Sequence, residues 1–357
     1  MDISEIRSKI EDNLNRFLPE LINTSWTQGA FGNIPPAVKE NHIKELLTPC
    51  RTLMSLGGKR WRPLLQILVS QMVSSANKND VGVDMAFKLT PLVEFVHTAS
   101  LIHDDIEDGA DTRRGKPAAH ITYGLDTALN AGAWLYFVAP TAIDALDIPA
   151  EKKNPFYSLF MMELRRLHLG QAMDIFWHRN PDIFPTKDEY QAMVQNKTGT
   201  LSCLAVLTGV LCGGGTKEEA IRAGDIARGI GEGFQILDDV QNLTTGNPGK
   251  KRGDDIVEGK KSLPVLMHIE ENPQDKDRIA SCFIKARKEG IMSDSVEECI
   301  SILEKGGCIK KAFEKGHSLV RQKSLELVGM FEKDNDLSES AKAIVDLFES
   351  MLPKVER

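Results

Sequence analysis

Apolar positions recur at three- and four-residue spacing along almost the whole chain, and the alternation of half-buried strands is missing. The pattern predicts helices of ordinary to generous length. Gly, Pro, Asn and Asp interrupt it at 28–36, 147–155, 179–187, 213–217, 244–261, 271–275 and 334–338. No repeat of fixed period is visible. The expected fold is all-α: a single domain over residues 1–357, built as one large helical bundle around a central cavity. The longest apolar stretch, 201–215, is too short and too glycine-rich at its end to span a bilayer, so no transmembrane segment is expected. It reads as a buried core helix.

Two acidic clusters break the apolar pattern: Asp104-Asp105-Ile106-Glu107-Asp108 and Asp238-Asp239-Val240-Gln241-Asn242. Each follows a greasy run, 99–102 in one case and 234–237 in the other. Carboxylates at i, i+1 and i+4 share a helical face, so crowding them at the end of a core-facing helix is costly unless cations neutralise them. Oxygen clusters of this kind suit Mg²⁺, which keeps several waters and bridges one or two carboxylates to substrate phosphates. A single acidic run would fit a solvated helix end as well. Two such runs point to a metal-dependent diphosphate enzyme.

Composition narrows the partners. Hydrophobic residues make up 41% of the 357, enough for a large core, while the formal charge of −7 sets aside nucleic acid and anionic membranes. A phosphate-bearing substrate must then be held by local clusters of bases. The six cysteines show no C-x-x-C pair and no zinc spacing, which suggests reduced thiols in a cytoplasmic protein. The eight histidines form no H-E-x-x-H pattern, and the acidic N-terminus lacks the plan of a signal peptide.

Local basic clusters do occur, and they flank the acidic ones. Arg113, Arg114 and Gly115 follow the first cluster, and guanidinium groups grip phosphate oxygens bidentately. His97 and Leu101 lie on the face of Asp104, where the histidine fits either a satisfied core residue or a ligand. Upstream, Gly57-Gly58-Lys59-Arg60-Trp61-Arg62-Pro63 combines backbone freedom with two bases, Lys59 and Arg62, expected one helical turn apart. It is either a basic helix start or a second phosphate site. Gly170-Gln171-x-x-Asp174 and Lys197-Thr198-Gly199 lie in or beside apolar helices, where a lysine needs a partner. Gln235 shares a face with Asp238 and Asp239, and Gly231 and Gly233 imply close packing or a cavity wall. Gly249-Lys250-Lys251-Arg252-Gly253 and Lys260-Lys261 form either a solvated loop or a cationic lid.

Taken together, these residues resemble the trans-isoprenyl diphosphate synthases, or polyprenyl synthetases, with motifs in that family's order from Gly57 to about Pro264. The resemblance implies an all-α isoprenoid synthase fold, two aspartate motifs facing across an elongation cavity, and a homodimer. It also implies a transferase that condenses isopentenyl diphosphate with an allylic diphosphate (dimethylallyl, geranyl or farnesyl), using several Mg²⁺ ions. By that resemblance, Asp104, Asp108 and Asp238 ligate Mg²⁺, with Asp105 and Asp239 in support. Arg113, Lys197, Lys260 and one of Lys250 or Lys251 grip the allylic diphosphate. Lys59, Arg62, His97 and Arg114 bind the diphosphate of isopentenyl diphosphate, while Thr198 and Gln235 line the reacting carbon.

Asn242 departs from the pattern, standing where many members have a third aspartate. Eukaryotic-type geranylgeranyl diphosphate synthases look similar here. In the family, bulky residues four and five before the first motif block chain growth; here they are Ser100 and Ala99, both small. The expected product is therefore longer than farnesyl, geranylgeranyl or somewhat beyond, with Trp134, Tyr136 or Phe137 as a lower floor. Two rivals remain. A class I terpene synthase needs no second diphosphate site, and an inactive regulatory subunit would be expected to lose motif residues.

Overall fold

A computed structural model describes residues 3–77, 82–246, 251–332 and 337–353. Helix accounts for 78% of it, and the strands among the described residues are two dipeptides, Thr112–Arg113 and Lys116–Pro117, paired antiparallel. The all-α expectation holds. The small hairpin was not foreseen, because two residues per strand carry no period. Neither was Pro155 inside the Ala150–Arg179 helix, which starts within the 147–155 segment read as a break.

The chain divides into two compact units, each drawn from three separate segments. The first comprises Met1–Met162, Cys203–Gly224 and Val328–Ile344. Its centre is the helix Pro91–Glu107, which starts with proline at its first turn and buries Leu92, Val93, Phe95, Val96, Ala99 and Ile102. Leu125–Val138 packs between this helix and Glu40–Ser55. The stretch expected to be a core helix is Gly199–Cys212, and its residues in this unit are buried almost throughout. Gly209 there lies so close to Gln66 that an added Cβ would meet the Gln66 carbonyl at 2.7 Å.

The second unit comprises Glu163–Ser202, Asp225–Leu327 and Val345–Arg357. Its apolar core gathers Trp177, Tyr190, Ile236, Leu243, Leu263, Phe283 and Ile300. Reciprocal bonds between Thr186 and Glu189 cap the Lys187–Lys197 helix. The Lys217–Thr244 helix carries the second aspartate motif and tolerates mid-helix glycines for a packing reason. A Cβ on Gly231 would sit 2.7 Å from the Gly199 Cα, and one on Gly233 would sit 2.6 Å from Val320. Close packing, the first of the two explanations offered above, accounts for both.

Candidate active site

The first aspartate motif closes the Pro91–Glu107 helix, with Asp108 as its C-cap. A helix C-terminus already carries partial negative charge, so added carboxylates call for a cation. The three side chains are not equivalent. Asp104 and Asp108 are half-buried, whereas Asp105 is buried and its Oδ1 accepts from Arg113 Nε at 2.8 Å. Arg113 and Arg114 stand at the hairpin turn that the two short strands form.

Four arginines surround His97 in this unit: Arg62, Arg114, Arg113 and Arg60. Arg60 is committed to structure, its Nε bonding Glu11 at 2.6 Å and its Nη1 bonding Glu94 at 2.5 Å. Arg62 lies over the Trp61 ring at 4.5 Å, and its buried Nε has no hydrogen-bond partner. Burial pushes the Arg62 guanidinium down to about 10, against the pull of Glu94 and with the push of Arg114. Burial and the same arginines hold the His97 imidazole well below its ordinary value. This is a cluster of excess positive charge, suited to an anion. Arg60 and Arg114, at φ 47° and 54°, are the two non-glycine residues with left-handed backbone among those described. Both flank Gly58, where a Cβ would meet their guanidinium nitrogens at 3.4–3.5 Å.

Lys59 is exposed in the loop before the helix, which begins only at Trp61. Lys59 and Arg62 therefore do not share a helical turn as expected. The left-handed Arg60 between them breaks the geometry.

The second motif repeats the division of labour. Asp238 is exposed, while Asp239 is buried and accepts from Tyr190 Oη at 2.7 Å and Gln235 Nε2 at 2.9 Å. Thr198 Oγ1 donates to Gln235 Oε1 at 2.8 Å, so Thr198, Gln235 and Asp239 form one chain of hydrogen bonds. A small cavity of about 40 Å³ opens among Asp174, Lys197, Thr198, Gln235, Asp239 and Lys260. Burial, then Asp255, pushes the Asp239 carboxyl up to about 7, with Lys260 pulling the other way.

Lys197 finds the partner its position demanded: Asp174 Oδ2 lies 2.6 Å from its Nζ. Burial opposes the charge on Asp174, but Lys197 and His178 hold its carboxyl well below the usual range. Gly170 lets the Ala150–Arg179 helix approach the backbone at Lys197. Lys260 is placed by Asp255, whose Oδ1 lies 3.3 Å from Nζ. Lys251 is exposed, and Lys250 lies outside the described residues. The sequence had pointed to Gly170-Gln171-x-x-Asp174 without a role. The signal that could have supplied one was the need of Lys197 for a carboxylate.

The profile of the polyprenyl synthetase family matches residues 43–303. The chain belongs to that family. A geranylgeranyl pyrophosphate synthase of Apiospora sacchari is 31% identical over 329 residues, covering 91% of this chain and 92% of the relative. Among solved structures, a geranylgeranyl pyrophosphate synthetase from Pyrococcus horikoshii Ot3 aligns at a TM-score of 0.78 and 28% identity over 98% of this chain and 99% of that one. A polyprenyl synthase from Caulobacter crescentus CB15, complexed with calcium and isoprenyl diphosphate, shares the fold at a TM-score of 0.75 and 21% identity, covering 97% and 95%. This polyprenyl synthetase is thus a prenyltransferase of the trans-isoprenyl diphosphate synthase class.

The donor set suits the divalent cations the family uses. Within each aspartate motif the carboxylates offer only oxygen, the preference of hard ions. Among the described residues no three His, Cys, Asp or Glu side chains converge on a ready-made cage. Substrate oxygens and water would complete such a coordination shell, as Mg²⁺ prefers. No described helix is long and apolar enough to cross a membrane.

Proposed function

We propose that this polyprenyl synthetase condenses isopentenyl diphosphate with an allylic diphosphate in a Mg²⁺-dependent reaction giving geranylgeranyl diphosphate. One observation carries the reading: each aspartate motif has its own basic neighbourhood, arginine-rich around His97 and Asp105 and lysine-based around Asp239. A condensing enzyme must hold two diphosphates at once. A class I terpene synthase holds one, and a regulatory subunit needs neither.

Mg²⁺ held by Asp104, Asp108 and Asp238 would neutralise the charge that develops on the leaving pyrophosphate. Lys197, Lys260, Arg113 and one of Lys250 or Lys251 would grip that pyrophosphate, while Lys59, Arg62, His97 and Arg114 would hold isopentenyl diphosphate. Cleavage of the allylic C–O bond leaves its electron pair on pyrophosphate and a cation on carbon. The Thr198 hydroxyl proton is committed to Gln235, so the oxygen lone pairs are left to face that cation. The isopentenyl double bond then adds to it, and a proton passes to the released pyrophosphate.

The two compact units act as one catalytic domain in this proposal. Support comes from the family match, which runs through segments of both. The active form is a homodimer, supported by the exposed apolar side chains of Ile121, Leu125, Leu129 and Phe137. Phe137 is 74% exposed, which suits an interface better than the cavity floor suggested by sequence. Six buried cysteines without a disulfide support a cytoplasmic location.

Mass spectrometry of products from purified protein, farnesyl diphosphate and isopentenyl diphosphate, with and without Mg²⁺, tests the reading. A Mg²⁺-dependent C20 diphosphate is expected. Cyclised hydrocarbon would favour a terpene synthase, and no turnover with any allylic primer a regulatory subunit.

A further inference from the structure

We propose that Asn242 is a positioning residue: its amide oxygen fastens the loop that aims Lys260 at the allylic diphosphate. The inference rests on the diphosphate-gripping role given to Lys260 above. Asn242 lies one turn beyond Asp238 and Asp239 and is fully buried. A metal ligand would need to reach the ion, whereas this side chain points into protein. Its Oδ1 accepts from the Asp255 backbone N–H at 3.1 Å, and its own carbonyl accepts from Gly253 N–H at 2.9 Å. Two bonds therefore tie the end of the aspartate helix to the first turn of Asp254–Glu258.

From that turn the connection to Lys260 is short. The Lys260 backbone N–H donates to the Asp255 carbonyl at 2.8 Å, and Lys260 Nζ lies 3.3 Å from Asp255 Oδ1. Asp255 thus receives Asn242 through its N–H and holds Lys260 through both its carbonyl and its carboxylate. The turn does not hold this geometry unaided. Gly253 and Gly259 bracket the helix with φ of +85° and +80°, and a Cβ on Gly253 would collide with Val296. Left-handed glycines at both ends make the segment flexible in isolation. An external acceptor is what fixes it.

The chemistry asked of position 242 is a neutral or anionic oxygen at one point. The Asn242 Nδ2 has no hydrogen-bond partner, so the amide NH₂ contributes nothing that a second oxygen would forfeit. Asn242→Asp keeps the acceptor, and Asn242→Ala removes it. An unmade bond to a buried backbone N–H costs about tenfold in an equilibrium constant.

The test combines hydrogen exchange and kinetics on the full-length enzyme. In metal-free Asn242→Ala the Asp255 amide should exchange about tenfold faster, while Asn242→Asp stays near wild type. In turnover, Asn242→Ala should raise KM for the allylic diphosphate about fivefold to tenfold, leave KM for isopentenyl diphosphate unchanged, and be rescued by Asn242→Asp. Unchanged Asp255 exchange in the alanine variant would overturn the clamp, whatever reaction the enzyme performs. Equal changes in both KM values, or a drop in melting temperature alone, would reduce Asn242 to a general structural residue and overturn it too. So would an Asn242→Asp enzyme with tenfold lower half-saturating Mg²⁺, which would make this position a metal site. Wild-type turnover in the same assay separates these failures from failure of the condensation reading.

Discussion

Lys197 and Asp174 are joined by a 2.6 Å ion pair in the second unit, where the carboxylate is 5% exposed and also faces His178 at 3.0 Å. Asp174 therefore fixes the ammonium group before substrate arrives. Removing one partner of a buried pair is costly because the other stays charged. Asp174→Asn should lower stability by about 2–3 kcal/mol and raise allylic KM at least about tenfold, because Lys197 loses its aim. Thermal melts and steady-state kinetics check both. A variant with wild-type melting and KM would show that Lys197 needs no partner.

The two motifs share one logic: the second carboxylate of each is buried and hydrogen-bonded, and the first is more exposed. Asp104→Ala should cut turnover by orders of magnitude with little change in melting. Asp105→Ala releases Arg113, so it should lose about 1–3 kcal/mol of stability along with activity. Circular dichroism melts beside turnover distinguish the pair. Equal melting of the two variants would contradict an anchoring role for the Asp105–Arg113 bond.

Sequence pattern was sufficient for the helices and for the positions of the two aspartate motifs, because apolar periodicity and carboxylate spacing are both local properties. It failed where conformation depends on backbone outliers or distant partners. The sequence assigns Arg60 no role beside Lys59 and Arg62, yet it is the arginine that Glu11 and Glu94 neutralise. Phe137 looked like core and lies outside, since a helix of mean apolar character does not declare which face is covered. Tyr136 is buried, with its ring 5.5 Å from that of His103 beside the first motif. Asn242 was legible only as a departure. Its use depends on an amide thirteen residues away.

His97 should make the substrate-free enzyme sensitive to acid. Burial, with Arg62 and its neighbours, holds the folded imidazole well below the value near 6.5 of an unfolded chain. A depressed folded value means that stability is present above about pH 6.5 and is lost as pH falls toward the folded value. Melting temperature should therefore fall from about pH 7 to pH 5, less steeply in His97→Gln. Inorganic pyrophosphate offsets the arginine charge that depresses the imidazole, so it should flatten the wild-type curve as well. Melts across this range, with and without pyrophosphate, provide the check. Identical slopes in wild type and variant would remove His97 from the basic cluster.

Ser100 gives the sharpest control over product length. It lies one turn before Asp104, half-buried, with its hydroxyl donating to the His97 carbonyl at 2.9 Å, and the adjacent Ala99 is fully buried. Neither side chain has the volume to stop a growing prenyl chain just beneath the metal motif. Of the aromatic residues considered as a floor, Trp134 stacks on Phe31 at 5.8 Å and Phe137 faces out. Position 100 is thus where bulk can be added most directly. Ser100→Phe should shorten the main product from C20 to C15 and leave consumption of dimethylallyl diphosphate within a few-fold of wild type, since the bond it removes is to the His97 backbone carbonyl and not to a diphosphate-binding side chain. Mass spectrometry of the product mixture reads the outcome. An unchanged C20 product would mean that the chain grows along a path that does not pass Ser100.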